Sequence, residues 1–191
     1  MVKTEDIQGF ASRIHKEAQR LLALISDIIK LSELDERDLA IAFEDVDLYQ
    51  IAEECADILS QAAKKNNVTI QVEGVRSVIR GSSSMISELV YNLCDNAIRY
   101  NRINGSVRIS VGNGIVTVSD NGIGIPKESL SRVFERFYRV DKSRSKETGG
   151  TGLGLAIVKH IAEQHKARVE IDSTEGQGTD IKVIFNNGEA K

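Results

Sequence analysis

The sequence predicts an α+β protein: a two-layer α/β sandwich, whose mixed sheet is covered by helices on one face, preceded by one long bundle helix. Three observations support this fold class. One heptad pattern runs through residues 1–40, later segments alternate between the helical period and short β-branched runs, and Asn113-Gly114 separates two such runs as a hairpin turn. The length of 191 residues suits one full domain with a helical appendage.

The N-terminal segment carries the pattern of a bundle helix. Apolar residues occupy the a and d positions of one heptad frame, which only Glu17 interrupts, and further ones widen the apolar face beyond a two-stranded seam. The a and d residues are Ile7, Phe10, Ile14, Leu21, Leu24, Ile28 and Leu31, and the widening residues are Leu22, Ile25 and Ile29. We therefore expect residues 1–38 to be one helix of a bundle and residues 39–191 to form the sandwich.

The remaining elements follow from local patterns in chain order. Segments with apolar residues three and four apart are expected to be helices, and short apolar runs bounded by turn residues are expected to be strands. The expected elements are a strand near 42–46, a helix at 48–65, a strand at 68–72, a helix that includes 88–100, strands at 107–111 and 115–118, a helix after Gly152, and strands at 168–173 and 179–185. Residues 140–148 have no apolar period, which predicts a loop that acts as a mobile lid, with Phe134 and Phe137 as its hydrophobic anchors.

Composition limits the classes of function. A formal net charge of −3 with 28% charged residues gives no sign of a nucleic-acid surface. Cys55 and Cys94 both lie in helical apolar patterns, which predicts reduced core residues of a cytoplasmic protein. The sequence contains no signal peptide and no apolar run of membrane-spanning length, so we expect membrane attachment only through upstream regions of a longer parent.

Two glycine-rich segments indicate a split nucleotide pocket. In the first, Asp120 ends an apolar run, and Gly122 and Gly124 let the backbone turn and approach a ligand closely. Asp-Asn-Gly alone is a common turn, but a second glycine and the following Pro126 demand more than a turn needs. In the second, four glycines within 149–154 open an apolar periodic segment, where a helix N-terminus favours phosphate.

The second glycine segment fits neither of two common phosphate loops. A dinucleotide fingerprint needs a buried strand before its glycines, whereas charged and hydroxyl residues fill 142–148. A Walker A loop needs Lys and then Ser or Thr where Leu155 and Ala156 stand. We therefore reject both alternatives.

A pair of asparagines on one face of a predicted helix forms the third element. Asn92 and Asn96 are four residues apart, beside an apolar stripe at helical spacing. Taken alone, the pair would also suit a solvated or hydrogen-bonded pair of amides. Their carbonyl oxygens are ligands that a hard cation such as Mg²⁺ accepts, with water and phosphate supplying the rest.

In this order, the segments resemble the catalytic and ATP-binding domain of sensor histidine kinases. That domain has the Bergerat-type ATP-binding fold, which it shares with gyrase-type ATPases, heat-shock-90 chaperones and mismatch-repair ATPases. The matching boxes are the asparagine box at 92–100, the first glycine box at 120–125, the phenylalanine box at 134–139, the second glycine box at 150–155 and the closing turn at 176–179. The resemblance covers roughly residues 40–186, and the segment 20–32 also resembles the second helix of the family's dimerisation domain.

The resemblance implies ATP and Mg²⁺ as ligands and assigns roles to individual residues. Asp120 would accept a hydrogen bond from the adenine amine with Thr179 beside the base, Asn96 with Asn92 would hold Mg²⁺, and Arg139 would reach the terminal phosphate. The implied nucleotide contacts are Asn96, Arg99, Tyr100, Asp120, Gly122, Gly124, Ile125, Gly150, Thr151, Gly152, Leu153, Gly154 and Thr179, and the implied catalytic residues are Asn92 and Arg139.

The residue at position 92 argues for phosphotransfer. Water-splitting members of the superfamily place a glutamate base four residues before the metal asparagine, and the amide of Asn92 cannot take a proton from water. We therefore expect transfer to a protein histidine and then to an aspartate of a response regulator. None of His15, His160 and His165 lies in the family's acceptor motif, so we expect a fragment of a parent that forms a homodimer through the bundle helix. A serine kinase of the anti-sigma type and a nucleotide-free scaffold are the alternatives.

Overall fold

The structure, a computed structural model, describes residues 42–140, residues 151–186 and part of the segment 10–29. The predictions for Ile7 and Leu31, for the loop at 141–148 and for the first two glycines of the second glycine segment lie outside the described residues.

The described residues within 10–29 are helical, in agreement with the predicted bundle helix. Most of the apolar residues of the heptad face that are described there are exposed, among them Phe10, Ile14, Leu21, Leu22, Ile25, Ile28 and Ile29. None of the described helices is long and apolar enough to cross a membrane.

Seven strands and three α-helices form the described part of the chain from residue 42 onward. They are β1 (Glu44–Asp47), α1 (Leu48–Lys65), β2 (Thr69–Gly74), β3 (Val78–Gly81), α2 (Ser83–Arg99), β4 (Ser106–Gly112), β5 (Ile115–Asp120), α3 (Gly154–Gln164), β6 (Arg168–Thr174) and β7 (Gly178–Ile184). Every strand and helix predicted for this region is present. The strand β3 and a short 3-10 helix at Lys127–Ser129 were not predicted.

The main sheet has five strands in the order β2-β4-β5-β7-β6. The pair β2–β4 is parallel and the other pairs are antiparallel, so the sheet is mixed as predicted. The predicted hairpin between β4 and β5 is confirmed, because Asn113 and Gly114 have φ values of 52° and 72°, the left-handed pair that a type I′ turn requires. A separate antiparallel ribbon joins β1 to β3.

The hydrophobic core lies between one face of this sheet and the three helices. Alternate residues of β4 and β5, such as Ile109 and Val116, are fully buried, whereas the intervening Arg108 and Thr117 are not. The helices contribute stripes that include Leu48, Leu89 and Ile157. Cys55 and Cys94 are buried free thiols in this core, as predicted. The two-layer α+β fold class is thereby confirmed.

A buried histidine joins the far ends of α2 and α3. His165 caps the C-terminus of α3, its Nδ1 lies 2.8 Å from the carbonyl oxygen of Ile161, and its Nε2 lies 3.0 Å from the backbone nitrogen of Ser82, which caps the N-terminus of α2. Because the Ser82 N–H donates, Nε2 accepts and the proton is on Nδ1. Burial lowers the pKa of His165, in keeping with this neutral form.

Candidate functional site

Three polar side chains lie side by side at one end of the main sheet. The strand register pairs Asp120 of β5 with Thr179 of β7, and Thr179 with Ser173 of β6. On the same face, the next two rows across these three strands contain only Val and Ile. The helix-facing surface of the sheet therefore changes from apolar to polar at the row formed by Asp120, Thr179 and Ser173, which we call the polar row.

Asp120 is the acid of the polar row. Its half-buried carboxylate accepts a hydrogen bond of 2.7 Å from the N–H of Gly122. Burial raises the pKa of Asp120 to about 6, the N–H groups of Gly122 and Thr179 act in the opposite direction, and nearby Asp180 raises the pKa further. A partly buried carboxylate has lost part of its hydration, so an N–H donor from a ligand would stabilise its ionised form.

The first glycine box fits between α2 and the β6–β7 turn because its glycines have no Cβ. A Cβ added to Gly122 would overlap the carbonyl oxygen of Tyr100, and one added to Gly124, at φ +65°, would overlap the backbone of Thr174. Two hydrogen bonds hold the box, since the Ile123 N–H donates to the Tyr100 carbonyl at 3.0 Å and the Ile123 carbonyl accepts the N–H of Gly176 at 2.7 Å. The glycines therefore let the backbone beside Asp120 lie close to Tyr100 and Thr174, and their approach to a ligand stays a prediction.

The two asparagines face the first turn of α3. A Cβ added to Gly154 would lie 3.1 Å from Oδ1 of Asn92 and 3.3 Å from Nδ2 of Asn96. Nδ2 of Asn92 donates to the carbonyl of Glu88 at 2.8 Å, so the amide nitrogen is used on its own helix. The structure thus brings together the asparagine box and the second glycine box.

Helix α2 connects the two ends of this site. Its C-cap residue Tyr100 supports the first glycine box through its carbonyl, and Asn96, one helical turn earlier, contacts Gly154. The polar row and the asparagine pair therefore lie along one edge of the domain, where α2, α3 and the strand ends of β5 and β7 meet.

The described residues of the second glycine box have local partners. The side chain of Leu153 is fully buried, so only its backbone is placed to meet a ligand, and its N–H donates to the hydroxyl of Thr151 at 3.3 Å. Gly152 has φ +79°, and its carbonyl accepts the N–H of Phe137 at 2.9 Å. The phenylalanine box is thus packed against the second glycine box.

The prediction that Phe137 is a hydrophobic anchor is wrong. Its ring is 56% exposed and its φ is 64°, because its backbone N–H turns inward to Gly152. The buried apolar residue of this segment is Val133, and Tyr138 ties it down by donating its hydroxyl proton to Ser129 at 3.0 Å. Phe134 is half-buried.

The other predicted contacts are distributed around these two ends. Arg99 pairs with Asp95 on its own helix, with 2.6 Å between Nε and the carboxylate. Tyr100 has a partly exposed side chain, and Arg139 is half-buried at the end of the described phenylalanine box. Gly150 lies outside the described residues.

Ser173 was not among the predicted site residues, although it completes the polar row. Its hydroxyl accepts the N–H of Ile125 in the first glycine box at 2.8 Å and lies 2.8 Å from the hydroxyl of Thr179. The available signal was the strand pattern itself, in which Val169, Ile171 and Ser173 occupy the same face and only the last is polar.

Comparison with known families decides the classification. Residues 81–188, which contain the polar row, both glycine boxes and the asparagine pair, match the family described as histidine kinase-, DNA gyrase B-, and HSP90-like ATPases. The chain belongs to this family. Within this ATPase family it is similar to the catalytic, ATP-binding domain of two-component sensor histidine kinases.

Curated relatives of this ATPase domain are named as sensor kinases. The chain is 37% identical over 180 residues to the sensor-like histidine kinase SenX3 of Mycolicibacterium smegmatis, covering 92% of this chain and 47% of that protein. It is 34% identical over 183 residues to the sensor protein kinase WalK of Staphylococcus haemolyticus, covering 93% of this chain and 30% of that protein. The chain thus spans less than half the length of these relatives, and neither of them favours the serine-kinase alternative.

Solved structures show the same fold. A mycobacterial sensor histidine kinase, MprB, matches with a TM-score of 0.62 and 27% identity over 75% of this chain and 96% of the solved chain. Full-length ShkA in complex with AMPPNP matches with a TM-score of 0.74 over 96% of this chain and 39% of the solved chain, and at 21% identity this supports the fold alone.

Proposed function

We propose that this domain binds ATP with Mg²⁺ and, in a longer parent protein, transfers the γ-phosphoryl group to a histidine. The observation that carries the proposal is the polar row at the sheet end, together with two amide side chains that face the N-terminus of α3 and lie one and two helical turns before the C-cap of α2. An acceptor site for a base and a phosphate site are therefore spaced along one edge.

The base would bind at Asp120 and Thr179. The carboxylate of Asp120 lacks full solvation and already uses one oxygen on the Gly122 N–H, so the amine of adenine would complete its hydrogen bonds. Guanine has a carbonyl oxygen at the corresponding position and would leave this acceptor unpaired, which costs on the order of 1–3 kcal/mol. We expect ATP to bind about tenfold or more tightly than GTP.

The phosphates would lie between the asparagine pair and α3. The oxygen of Asn92 faces Gly154 because its amide nitrogen is bonded to Glu88, and amide oxygens are ligands that suit a hard cation. Bound Mg²⁺ would neutralise charge on the phosphate oxygens during transfer. The backbone of 150–154 and the side chains of Arg99, Tyr100 and Arg139 would provide the remaining contacts.

The chemistry favoured here is transfer, not hydrolysis. Neither atom of the Asn92 amide takes up a proton near neutral pH, so the site has no general base at the position where water-splitting relatives carry glutamate. In the transfer, the bond between the γ-phosphorus and the bridging oxygen of ATP breaks, a phosphorus–nitrogen bond to imidazole forms, and ADP leaves. His165 is excluded as acceptor because both of its ring nitrogens are hydrogen-bonded in the core.

The remaining part of the proposal concerns dimerisation and the phosphoryl acceptor of the longer parent protein. We infer that residues 1–38 are the second helix of a dimerisation domain, whose exposed apolar face would pair in a homodimer, and that residues 39–191 are the catalytic domain. A response regulator would receive the phosphoryl group on an aspartate. The domain would act in the cytoplasm, with any membrane anchor upstream.

The first test is a calorimetric titration with ATP, with and without Mg²⁺. We expect Mg²⁺-assisted binding by the unmutated chain and about thirtyfold weaker binding by Asp120→Asn, because a hydrogen bond to a charged group is lost. Asp180→Asn is the matched control, since Asp180 is the exposed neighbour on β7 and should change binding by less than about threefold. Absence of binding by the unmutated chain would support the nucleotide-free scaffold.

The second test asks what accepts the phosphoryl group. The chain is incubated with radiolabelled ATP and a separate dimerisation helix that carries an acceptor histidine. We expect acid-labile, base-stable label on the added helix and none on the chain alone. Acid-stable phosphoserine on the added protein would support the serine-kinase alternative, and stable acid-labile label on the chain alone would contradict the need for an external acceptor.

A further inference from the structure

Ser173 has a complete set of hydrogen bonds at the edge of the site. Its Oγ lies 2.8 Å from the carbonyl oxygen of Gly178, 2.8 Å from the N–H nitrogen of Ile125 and 2.8 Å from Oγ1 of Thr179. A serine hydroxyl has one proton and two lone pairs. Since a carbonyl oxygen can only accept, the single proton of Ser173 is donated to Gly178, and both lone pairs are left to accept.

This arrangement fixes the direction of the Thr179 hydroxyl. Ser173 has no second proton to give, so the 2.8 Å contact between the two hydroxyls requires Thr179 to donate. The proton of Thr179 is thereby directed away from β5 and toward β6. What the Thr179 hydroxyl then offers on its other side, next to Asp120, is lone pairs only.

We propose that Ser173 is a positioning residue that orients the Thr179 hydroxyl, so that Asp120 and Thr179 can only accept hydrogen bonds from the base. The site thereby selects purines with a 6-amino group over purines with a 6-oxo group. The inference rests on the proposed function, because it concerns the base of the bound nucleotide. Asp120 and Thr179 both present lone pairs, so an exocyclic amine is attracted and a carbonyl oxygen in its place is repelled. Without Ser173, the Thr179 hydroxyl would rotate and could donate to such an oxygen.

Ser173 also holds the opposite wall of the site. By accepting the Ile125 N–H, it ties β6 to the first glycine box, whose Gly124 already lies against Thr174. A purely structural role would weaken binding of all nucleotides in parallel. The selective role instead changes the ratio of affinities for two bases that differ only at position 6.

The test compares ATP with inosine triphosphate, which carries oxygen at position 6 and lacks the 2-amino group of guanine. Both are titrated against the full chain, with thermal unfolding as the check on folding. We expect Ser173→Ala to lower the ratio of ATP to inosine triphosphate affinity about five- to tenfold, and Ser173→Thr, which keeps the hydroxyl, to restore most of it. A parallel loss of both affinities, with the ratio unchanged, would overturn the proposal.

A second variant removes the hydroxyl on which Ser173 acts. Thr179→Val leaves the Ser173 bonds to Ile125 and Gly178 possible, and we expect it to lower the affinity ratio by a similar factor. In the Thr179→Val background, Ser173→Ala should leave the ratio unchanged. An unaltered ratio in Thr179→Val overturns the proposal even if Ser173→Ala fails to fold. Failure of the unmutated chain to bind ATP would instead overturn the proposed function itself.

Discussion

The end of the site proposed to bind the base and the end proposed to bind the phosphates, here called the base end and the phosphate end, are held in different ways. At the base end, the polar row is fixed by the register of three strands, and two glycines lock the adjoining loop against Tyr100 and Thr174. At the phosphate end, the contacts are those of helix faces and a helix N-terminus, where Asn92 and Asn96 meet Gly154.

The difference shows which groups are ready for a ligand. Lone pairs of Asp120 and Thr179 face the site without any bond having to break, whereas the N–H of Leu153 is donated to Thr151 and would have to be released to bind phosphate. The base end is therefore preorganised, and the phosphate end has a local cap that phosphate can replace. We expect substitutions at the base end to affect stability and selectivity, and those at the phosphate end to affect the Mg²⁺-dependent part of binding.

The largest effect is expected from Gly124→Ala. At φ +65° the new Cβ would overlap the Thr174 backbone, which a strand cannot move easily, so we expect a loss of about 3 kcal/mol or more in the free energy of unfolding. Gly112→Ala is the matched control, because its Cβ would meet only Val75 at 3.9 Å, and we expect a change below about 0.5 kcal/mol. Urea unfolding measures both. Equal stability of the two variants would show that the base end is not rigidly held.

At the phosphate end, Asn96→Ala should reduce only the contribution of Mg²⁺. With Mg²⁺ present, we expect about thirtyfold weaker ATP binding, because a ligand to the cation is lost, and without Mg²⁺ we expect little change. Asn66→Ala is a control on an exposed asparagine that caps α1 and is not one of the proposed ligand contacts. A loss for Asn96→Ala that is the same with and without Mg²⁺ would mean that the residue contacts the nucleotide directly.

The sequence predicted Asp120 and the glycines of the base end, but it did not predict Ser173, which hydrogen-bonds to Ile125 of the first glycine box and to Thr179. Asp120 and the glycines were predicted as site residues because a carboxylate at a strand end and closely spaced glycines are local patterns. Ser173 was missed because its role depends on register across three strands, which no local pattern contains. The exposed ring of Phe137 was also missed, since spacing shows that Phe134 and Phe137 can share a face but not that the backbone turns to a positive φ between helices.

The fold was predictable wherever a hydrophobic period extends over many residues or a turn has a characteristic sequence. Helices of 17 and 18 residues and the Asn113-Gly114 hairpin were recovered. The strand β3 has only four residues, and it exists because it pairs with β1 across more than 30 positions of sequence, from Asp47 to Val78. Such a contact is set by tertiary structure and leaves no periodic signal.

A smaller effect is expected from protonation of Asp120, which should change ligand affinity at the base end with pH. Its pKa is about 6 in the free protein, and an adenine amine would favour the ionised form, so binding releases a proton below that pH. Adenosine, which has no titrating phosphate, should bind about tenfold more weakly at pH 5 than at pH 7. Asp120→Asn should bind weakly at both values without this dependence. A pH-independent affinity in the unmutated chain would contradict an ionised Asp120 as the acceptor.

The smallest effect is expected at His165, which joins the ends of α2 and α3 opposite the phosphate end. Its folded pKa is lowered below the ordinary value of 6.5, so the unfolded chain binds more protons as the pH falls through that region. The stability that the neutral ring contributes is present above about pH 6.5 and is lost as the pH falls through the lowered pKa of the folded state. Asp120 changes stability in the opposite direction, since its raised pKa favours the folded state at acid pH and that contribution is lost as the pH rises through about 6.

Unfolding experiments separate the two groups. The difference in unfolding free energy between the unmutated chain and His165→Gln should shrink between pH 7 and pH 5, because glutamine keeps hydrogen-bonding atoms and does not titrate. The same comparison with Asp120→Asn should have the opposite slope. Adenosine affinity at pH 7 should not change in His165→Gln, because the polar row is held by strand register. A loss of adenosine binding in that variant would show that the base end depends on how α2 and α3 are joined, and the contrast between the two ends would fail.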